Sequence, residues 1–236
     1  MGSGTVFERY EIKYIITEKQ KELIKNGMEK YLAPDKYGRS VIRNIYYDTA
    51  DSRLIRRSNE KPVYKEKLRV RSYKRVESDD ETVFVELKKK YNSVVYKRRT
   101  VLSENTAAKW LNDGQLPQEQ TQIISEIEYF RRFYGSLVPS AFVSYDREAF
   151  FAVDGSDFRV TFDENISART TDLSLKKDVG GEKLLGNGLV LMELKTHSGI
   201  PLWMTSLLSE NEIYKTSFSK YGTAYRTMIF PEKGEI

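Results

Sequence analysis

Basic residues recur at every second position of 64–71, which reads Tyr-Lys-Glu-Lys-Leu-Arg-Val-Arg. Side chains of an extended strand alternate faces, so Lys65, Lys67, Arg69 and Arg71 share one face while Tyr64, Leu68 and Val70 share the other. Like charges two residues apart repel, and a strand tolerates such a row where water or an anion lies against it. Three other segments carry a glutamate followed two positions later by a lysine: Glu11 with Lys13, Glu86 with Lys88, and Glu193 with Lys195. Alternation of this kind ordinarily marks a sheet with one wet face. Here most strands have a charged face, and few of those charges have a sequence-local partner. A sheet that closes on itself would gather them into a polar interior. That interior is costly unless filled, because each unpaired ion taken out of water costs several kcal/mol even after relaxation. A polyanion offsets the cost, since the arginine fork matches phosphate oxygens and lysine adds a point charge. Glutamates on the same wall suit a divalent metal, whose preference for hard oxygen ligands and bridging of phosphates support phosphoryl transfer.

The elements that must position these groups follow from periodicity. Alternation predicts strands over 7–16, 42–48, 64–75, 82–90, 93–102, 141–152, 158–163 and 189–196. The three strands between 64 and 102 are joined by short connections and read as an antiparallel meander. Lys97 and Arg99 share a face, as do Tyr145 and Arg147, and Arg159, Thr161 and Asp163. Thr17-Glu-Lys-Gln is a capping box opening a helix that runs to about Leu32, with Pro34 as its stop. Further helices are predicted over 105–111, 118–134, 201–208 and 218–228, the second with an apolar stripe of Ile123, Ile124, Ile127 and Phe130. Asp48 and Asp51 read as turn residues that bind their own backbone. Glycine-rich 170–188 reads as a long loop.

Composition bounds the answer. The chain has 236 residues, with 39% hydrophobic and 31% charged, which describes a globular protein. No apolar run approaches the ~20 residues that span a membrane, and no signal peptide is read. Met1 to Gly4 are set aside from the fold reading. Absence of cysteine excludes disulfides, thiolate metal sites and cysteine nucleophiles, and points to a reducing, cytoplasmic setting. A net charge of +5 favours an anionic partner only weakly, so the placement of the basic residues matters more than their sum. One histidine, His197, and no nucleophile elbow leave no Ser-His-Asp reading, and no Walker-type glycine loop occurs. His197 reads as a loop residue, and Trp110 and Trp203 as packing residues.

Seven short motifs in order carry a family resemblance: Phe-Glu-Arg-Tyr-Glu-Ile-Lys-Tyr at 7–14, Lys-Leu-Arg-Val-Arg at 67–71, Glu-Leu-Lys at 86–88, Tyr-Lys-Arg-Arg at 96–99, Tyr-Asp-Arg at 145–147, Glu-Leu-Lys at 193–195 and Phe-Ser-Lys-Tyr at 218–221. Together they resemble the catalytic domain of the vacuolar transporter chaperone (VTC) polyphosphate polymerases, within the CYTH-like, or triphosphate tunnel metalloenzyme, superfamily. The resemblance implies an α+β fold over 5–236 as a single domain: a closed antiparallel β-barrel with helices packed outside. It implies transfer of the γ-phosphate of ATP to a growing polyphosphate chain with Mn²⁺ or Mg²⁺. By motif, Lys13, Arg69, Arg71, Lys88, Lys97, Arg147, Arg159 and Lys220 would grip phosphates, and Glu193 would hold the metal. Lys67, Arg99 and Lys195 are second-rank candidates. Arg9 stands where the wider superfamily has the first glutamate of a Glu-x-Glu-x-Lys pattern, which agrees with the polymerase branch over a hydrolase. Neither a regulatory SPX domain nor the membrane helices of the eukaryotic complex stand in these residues, so vacuolar transport and inositol-phosphate control are not inferred, and a membrane partner is left open. Two rivals remain: a metal-dependent tripolyphosphate or nucleoside-triphosphate phosphohydrolase on the same fold, and a non-catalytic polyanion-binding module. Basic strands with interleaved aromatics suit single-stranded nucleic acid too, but Glu86 and Glu193 disfavour that partner.

Overall fold

The computed structural model describes residues 10–92, 94–197 and 199–231. Arg9 and its departure from the superfamily pattern lie outside the described residues. The first strand, β1 (Tyr10–Thr17), sends Tyr14 and Ile16 into the core and Glu11 and Lys13 the other way. Helix α1 (Glu18–Met28) starts at the predicted capping box: Gln20 N donates to Thr17 Oγ1 at 3.1 Å, and Thr17 N donates to Gln20 Oε1 at 3.0 Å. It ends four residues before Leu32, because Leu32–Pro34 forms a short strand, β2, against the strand at 137–152. Strand β3 (Ser40–Thr49) follows, then a helix that sequence did not predict, α2 (Arg53–Asn59). Its N-cap position, Ser52, sits at φ +57° and provides no side-chain cap. Asp48 supplies it instead, accepting from Leu54 N at 2.8 Å and Ile55 N at 3.0 Å while also accepting from Thr49 N as a turn residue does.

The predicted meander is present as β4 (Tyr64–Ser72), β5 (Thr82–Tyr91) and β6 (Val94–Ser103). Helices α3 (Glu104–Asp113) and α4 (Gln122–Tyr134) come next, α4 burying Ile124, Ile127 and Phe130 as its stripe requires. Long strands β7 (Leu137–Ala152) and β8 (Arg159–Arg169) are followed by β9 (Glu182–Lys183), a two-residue strand within the predicted loop, and by β10 (Leu189–Thr196). The chain continues through α5 (Leu202–Glu210) and a short α6 (Lys220–Ala224) that passes into a π-helical turn at Tyr225–Ile229.

Among the described residues the strands form one antiparallel sheet in the order β1-β10-β8-β7-β3-β4-β5-β6, with β2 added on β7 and β9 on β8. The expected closed barrel is not formed by backbone pairing: β1 and β6, the ends of this order, share no ladder among the described residues. The cause is local. Thr216, just before α6, occupies the free edge of β1 by donating its N–H to Lys13 O at 2.8 Å. Side chains bridge the seam instead, Lys88 of β5 meeting Glu11 of β1 at 2.7 Å. The sheet is therefore strongly curled, with an inside and an outside.

Three apolar clusters hold this curl. Helices α3 and α4 pack Trp110 and Ile127 on the outer faces of β3, β4 and β5, where Leu68, Val70, Val85 and Leu87 are buried. On the other outer flank α1 and α5 cover β1, β8 and β10 with Ile24, Met28 and Met204. Trp203, stacked on Tyr31 at 4.2 Å, joins them as the packing residue expected. The third cluster lies inside the curl, where α6 and α2 bring Tyr221, Ala224 and Ile55 against Tyr46, Val143 and Tyr145. Full burial of a large aliphatic side chain stabilises by about 1.5–3 kcal/mol, so these faces set the alternation that leaves the polar faces inward. No helix of the described residues is long and apolar enough to cross a membrane.

Asp48 joins this inner cluster to α2, because Tyr221 OH also donates to it, at 2.8 Å. Replacing it (Asp48→Ala) strands these buried donors, and each unsatisfied group costs about 1–3 kcal/mol. Denaturant unfolding should show a loss at or above the upper end of that range, since Leu54 N, Ile55 N and Tyr221 OH all lose their acceptor; an unchanged midpoint would remove Asp48 as the tie between α2 and α6.

Candidate functional site

The curl encloses a cavity of about 670 Å³ lined by eleven lysines and arginines and by three acids, Glu11, Asp35 and Glu193. All eight first-rank basic candidates line it: Lys13 from β1, Arg69 and Arg71 from β4, Lys88 from β5, Lys97 from β6, Arg147 from β7, Arg159 from β8 and Lys220 from α6. Glu193, Lys67 and Lys195 line it as well. Arg99 does not; it sits at the margin on Glu86 and Phe84. Arg98 borders the hollow, but its guanidinium pairs with Glu126 of α4 at 2.8 Å, on the helix-covered face that alternation assigns to it. His197 lies beyond the end of β10 with its backbone N on Asp157, a loop histidine as expected.

Cross-strand register explains why so many cations can be held together. Arg69 stands opposite Glu86, and Glu86 opposite Arg99. Arg147 stands opposite Asp163, and Lys13 opposite Glu193. Two carboxylate anchors result. Glu86, with no exposed side-chain surface, accepts from Arg69 Nε at 2.8 Å, Arg99 Nε at 2.7 Å and Lys97 Nζ at 2.6 Å. Asp163, equally buried, accepts both arms of Arg147 at 2.6 Å and Lys220 Nζ at 2.5 Å. Beside it, Glu193 meets Lys195 at 3.0 Å, Arg147 at 3.3 Å, Lys13 at 3.5 Å and Lys220 at 3.6 Å. Neutral groups finish the wall: Arg69 Nη1 donates to Tyr46 OH at 3.1 Å, and Arg71 donates to Asn44 Oδ1 at 2.9 Å and Tyr145 OH at 3.1 Å.

Burial alone would raise the Glu86 carboxyl, but Arg69, Arg71 and Lys97 outweigh it and hold the group far below its usual range. The same contest holds Asp163 down through Arg147 and Lys220, and Glu193 through Lys195, Lys220, Lys13 and Arg147. Burial pushes Lys220 down, and Asp163 and Glu193 reverse it, so this lysine stays charged. Tyr145 is raised by burial, yet Arg147, Arg71 and Lys220 bring its hydroxyl below the ordinary range. The anchoring carboxylates and the arginines on them are therefore ionised together, with the positive ends bordering the hollow.

Among the described residues no three His, Cys, Asp or Glu side chains cluster as a protein-only metal cage. Hard cations such as Mg²⁺ are commonly held by one or two carboxylates with substrate phosphates and water completing the shell. Glu193, an oxygen donor on the cavity wall, fits that kind of site.

Sequence reasoning underused four wall residues. Glu11 was visible in the first Glu-x-Lys dyad, and Asp163 on the polar face of β8, yet nothing local marked Asp163 as the partner of a residue sixteen positions away. Tyr46 carried no signal beyond alternation, and Tyr145 was marked only by the Tyr-Asp-Arg motif and by sharing a face with Arg147.

Titration should expose this network. For Glu11, burial raises the carboxyl, and Lys88 with Lys13 and Lys195 lowers it to about 2, against 4.5 for the free side chain. A depressed folded value means that the unfolded chain binds more protons, so the contribution to stability is present above about pH 4.5 and lost on descent toward pH 2. Denaturation midpoints measured across that window should fall less steeply in Glu11→Gln than in the unsubstituted chain; parallel curves would contradict the seam pair.

The family model of the VTC domain matches residues 8–229. No curated protein matches the sequence. Among solved structures, the fold is similar to that of a candidate adenylate cyclase from Bacillus halodurans, at 12% identity and a TM-score of 0.54, covering 90% of this chain and 95% of that one. It is also similar to a candidate adenylyl cyclase from Hippeastrum with a dominant triphosphatase activity, at 16% identity and a TM-score of 0.55, covering 93% and 95%. The chain shares its fold with these two structures, and with a family match over almost its whole length it belongs to the VTC domain family.

Proposed function

We propose that residues 5–236 act as one catalytic unit, a polyphosphate polymerase that transfers the γ-phosphate of ATP to a growing polyphosphate chain. The observation that carries this reading is the convergence of Arg69, Arg147 and Lys220 on one cavity, each backed by a buried carboxylate. Phosphoryl transfer asks the protein for positioning and charge stabilisation more than for covalent chemistry. Arginines fixed on Glu86 and Asp163 keep their remaining N–H groups at set positions, so little reorganisation is needed when phosphate oxygens arrive. Lys13, Lys88, Lys97 and Arg159 add charge along the walls, with Arg71 fixed by Asn44 and Tyr145. Lys67 and Lys195 support them, and Arg99 acts through Glu86.

Glu193 would hold Mn²⁺ or Mg²⁺, which when bound supplies charge neutralisation across neighbouring phosphate oxygens. The proposed setting is the cytoplasm, with ATP and polyphosphate as partners. Hydrolysis is the competing outcome, since the same fold serves triphosphatase activity in the Hippeastrum protein.

Incubation with ATP and Mn²⁺ should yield acid-stable polymer; free phosphate as the sole product would favour the hydrolase. Glu193→Gln should lower turnover by about 10²–10³-fold, the size seen when a charge-stabilising group is lost. Tripolyphosphate binding by that variant, read by calorimetry, should persist. Undiminished turnover would remove the role given to Glu193.

A further inference from the structure

The basic row of β4 does not stop at the cavity. Lys65 and Lys90 lie outside its lining, yet alternation places them on the same faces as Lys67 and Lys88, one pleat further along. Register sets Lys65 opposite Lys90 and Lys67 opposite Lys88. Like charges directly opposite one another destabilise a sheet. Elsewhere in this wall carboxylates relieve that repulsion, but here relief is almost absent. Lys88 has Glu11, while among the described residues no carboxylate lies within ion-pair distance of Lys65, Lys67 or Lys90. Lys89, on the opposite face, is the one that meets Glu66.

Two of these lysines have neutral acceptors instead: Lys65 Nζ donates to Ser58 O at 3.3 Å and Lys67 Nζ to Ser219 Oγ at 3.0 Å. Burial, with Lys13, Lys88, Lys65 and Arg69 around it, pushes Lys67 down to about 7. Burial and neighbouring lysines move Lys65 and Lys90 the same way, Lys61 acting on the first and Lys215 on the second, while Glu11 offsets part of the effect on Lys90. The site therefore has two unlike ends. Arg69 and Arg71 stand over Glu86 at one, and unneutralised lysines lead outward at the other. From Lys65 to Arg71 the strand rises about 20 Å at ~3.4 Å per residue, longer than three linked phosphates require.

We propose that Lys65 and Lys90 carry the row of Lys67 and Lys88 out of the cavity and form a track for the polyphosphate chain beyond the phosphates held there, a binding site for a long linear polyanion. The inference rests on the polymerase reading and adds where the chain runs. The two kinds of cation suit the two ends, because arginine forks fix oxygens at set positions, whereas flexible ammonium groups act as point charges and let a uniform chain slide. Repulsion within the ladder falls when phosphates lie between the paired lysines.

Lys65→Gln/Lys90→Gln tests it, with tripolyphosphate and long-chain inorganic polyphosphate as probes in the full chain. Affinity for the long chain should fall about tenfold, its log–log salt slope should lessen by about two, and tripolyphosphate affinity should stay unchanged. Lys65→Arg/Lys90→Arg, which keeps the charge, should bind the long chain as before. Undiminished long-chain binding by the Gln variant, equal weakening of both probes, or failure of the Arg variant to bind the long chain overturns the track. If single-stranded DNA binds more tightly than polyphosphate and loses affinity through the same Gln changes, the ladder is a nucleic-acid surface and the track is overturned. Binding of neither phosphate probe by the unsubstituted protein would refute the polymerase reading itself, and the track with it.

Discussion

Buried carboxylates set against a crowd of cations are the constraint on which this fold turns. Glu86 and Asp163 have no exposed side-chain surface, and each holds at least two basic side chains at hydrogen-bond distance. A buried ion pair is weak evidence for stability, since the cost of desolvation rivals the attraction. Breaking one is another matter, because the partner left behind is an uncompensated buried charge. The sheet keeps these groups at that cost, and the simplest physical reason is that they organise a surface which must be positive and rigid at once.

The rest of the architecture serves that end. Outer helices take up the apolar faces of β1, β3, β4, β5, β8 and β10, which forces the intervening polar side chains inward. Inside, α6 and α2 fill part of the curl and deliver Lys220 to Asp163 and Ser219 to Lys67. A line of contacts runs from Asp48 through Tyr221, stacked on Tyr46 at 4.6 Å, to Arg69, so packing of the inner helices and orientation of a cavity arginine are one problem. Between β1 and the β5–β6 end of the sheet there is no ladder among the described residues, and the ion pair of Lys88 with Glu11 crosses the gap, which leaves the curl held by side chains where a barrel would be held by backbone.

Much of this was legible from alternation. The faces of β4, β5, β8 and β10 follow directly from residue spacing, as do the capping box at Thr17 and the stripe of α4. Cross-strand register was not legible, because spacing within a strand says nothing about which residue faces it from the next. That is why Asp163 was seen on a polar face but not as the anchor of Arg147, whose strand shifts register between Ser144 and Asp146. Helix α2 was missed because its cap comes from Asp48 in the preceding strand and not from its own first residue. Barrel closure was expected from the family and fails at the free edge of β1, where Thr216 takes the backbone position another strand would need. Such long-range occupancy has no local signature.

Whether the hollow between these strands takes linked phosphates decides the rest. A crystal structure of the chain with tripolyphosphate bound tests that most directly. Phosphate oxygens are expected within hydrogen-bond distance of Arg69, Arg147 and Lys220. Phosphates found on the outer helical face, with those three side chains engaged only by Glu86, Asp163 and Glu193, would contradict it.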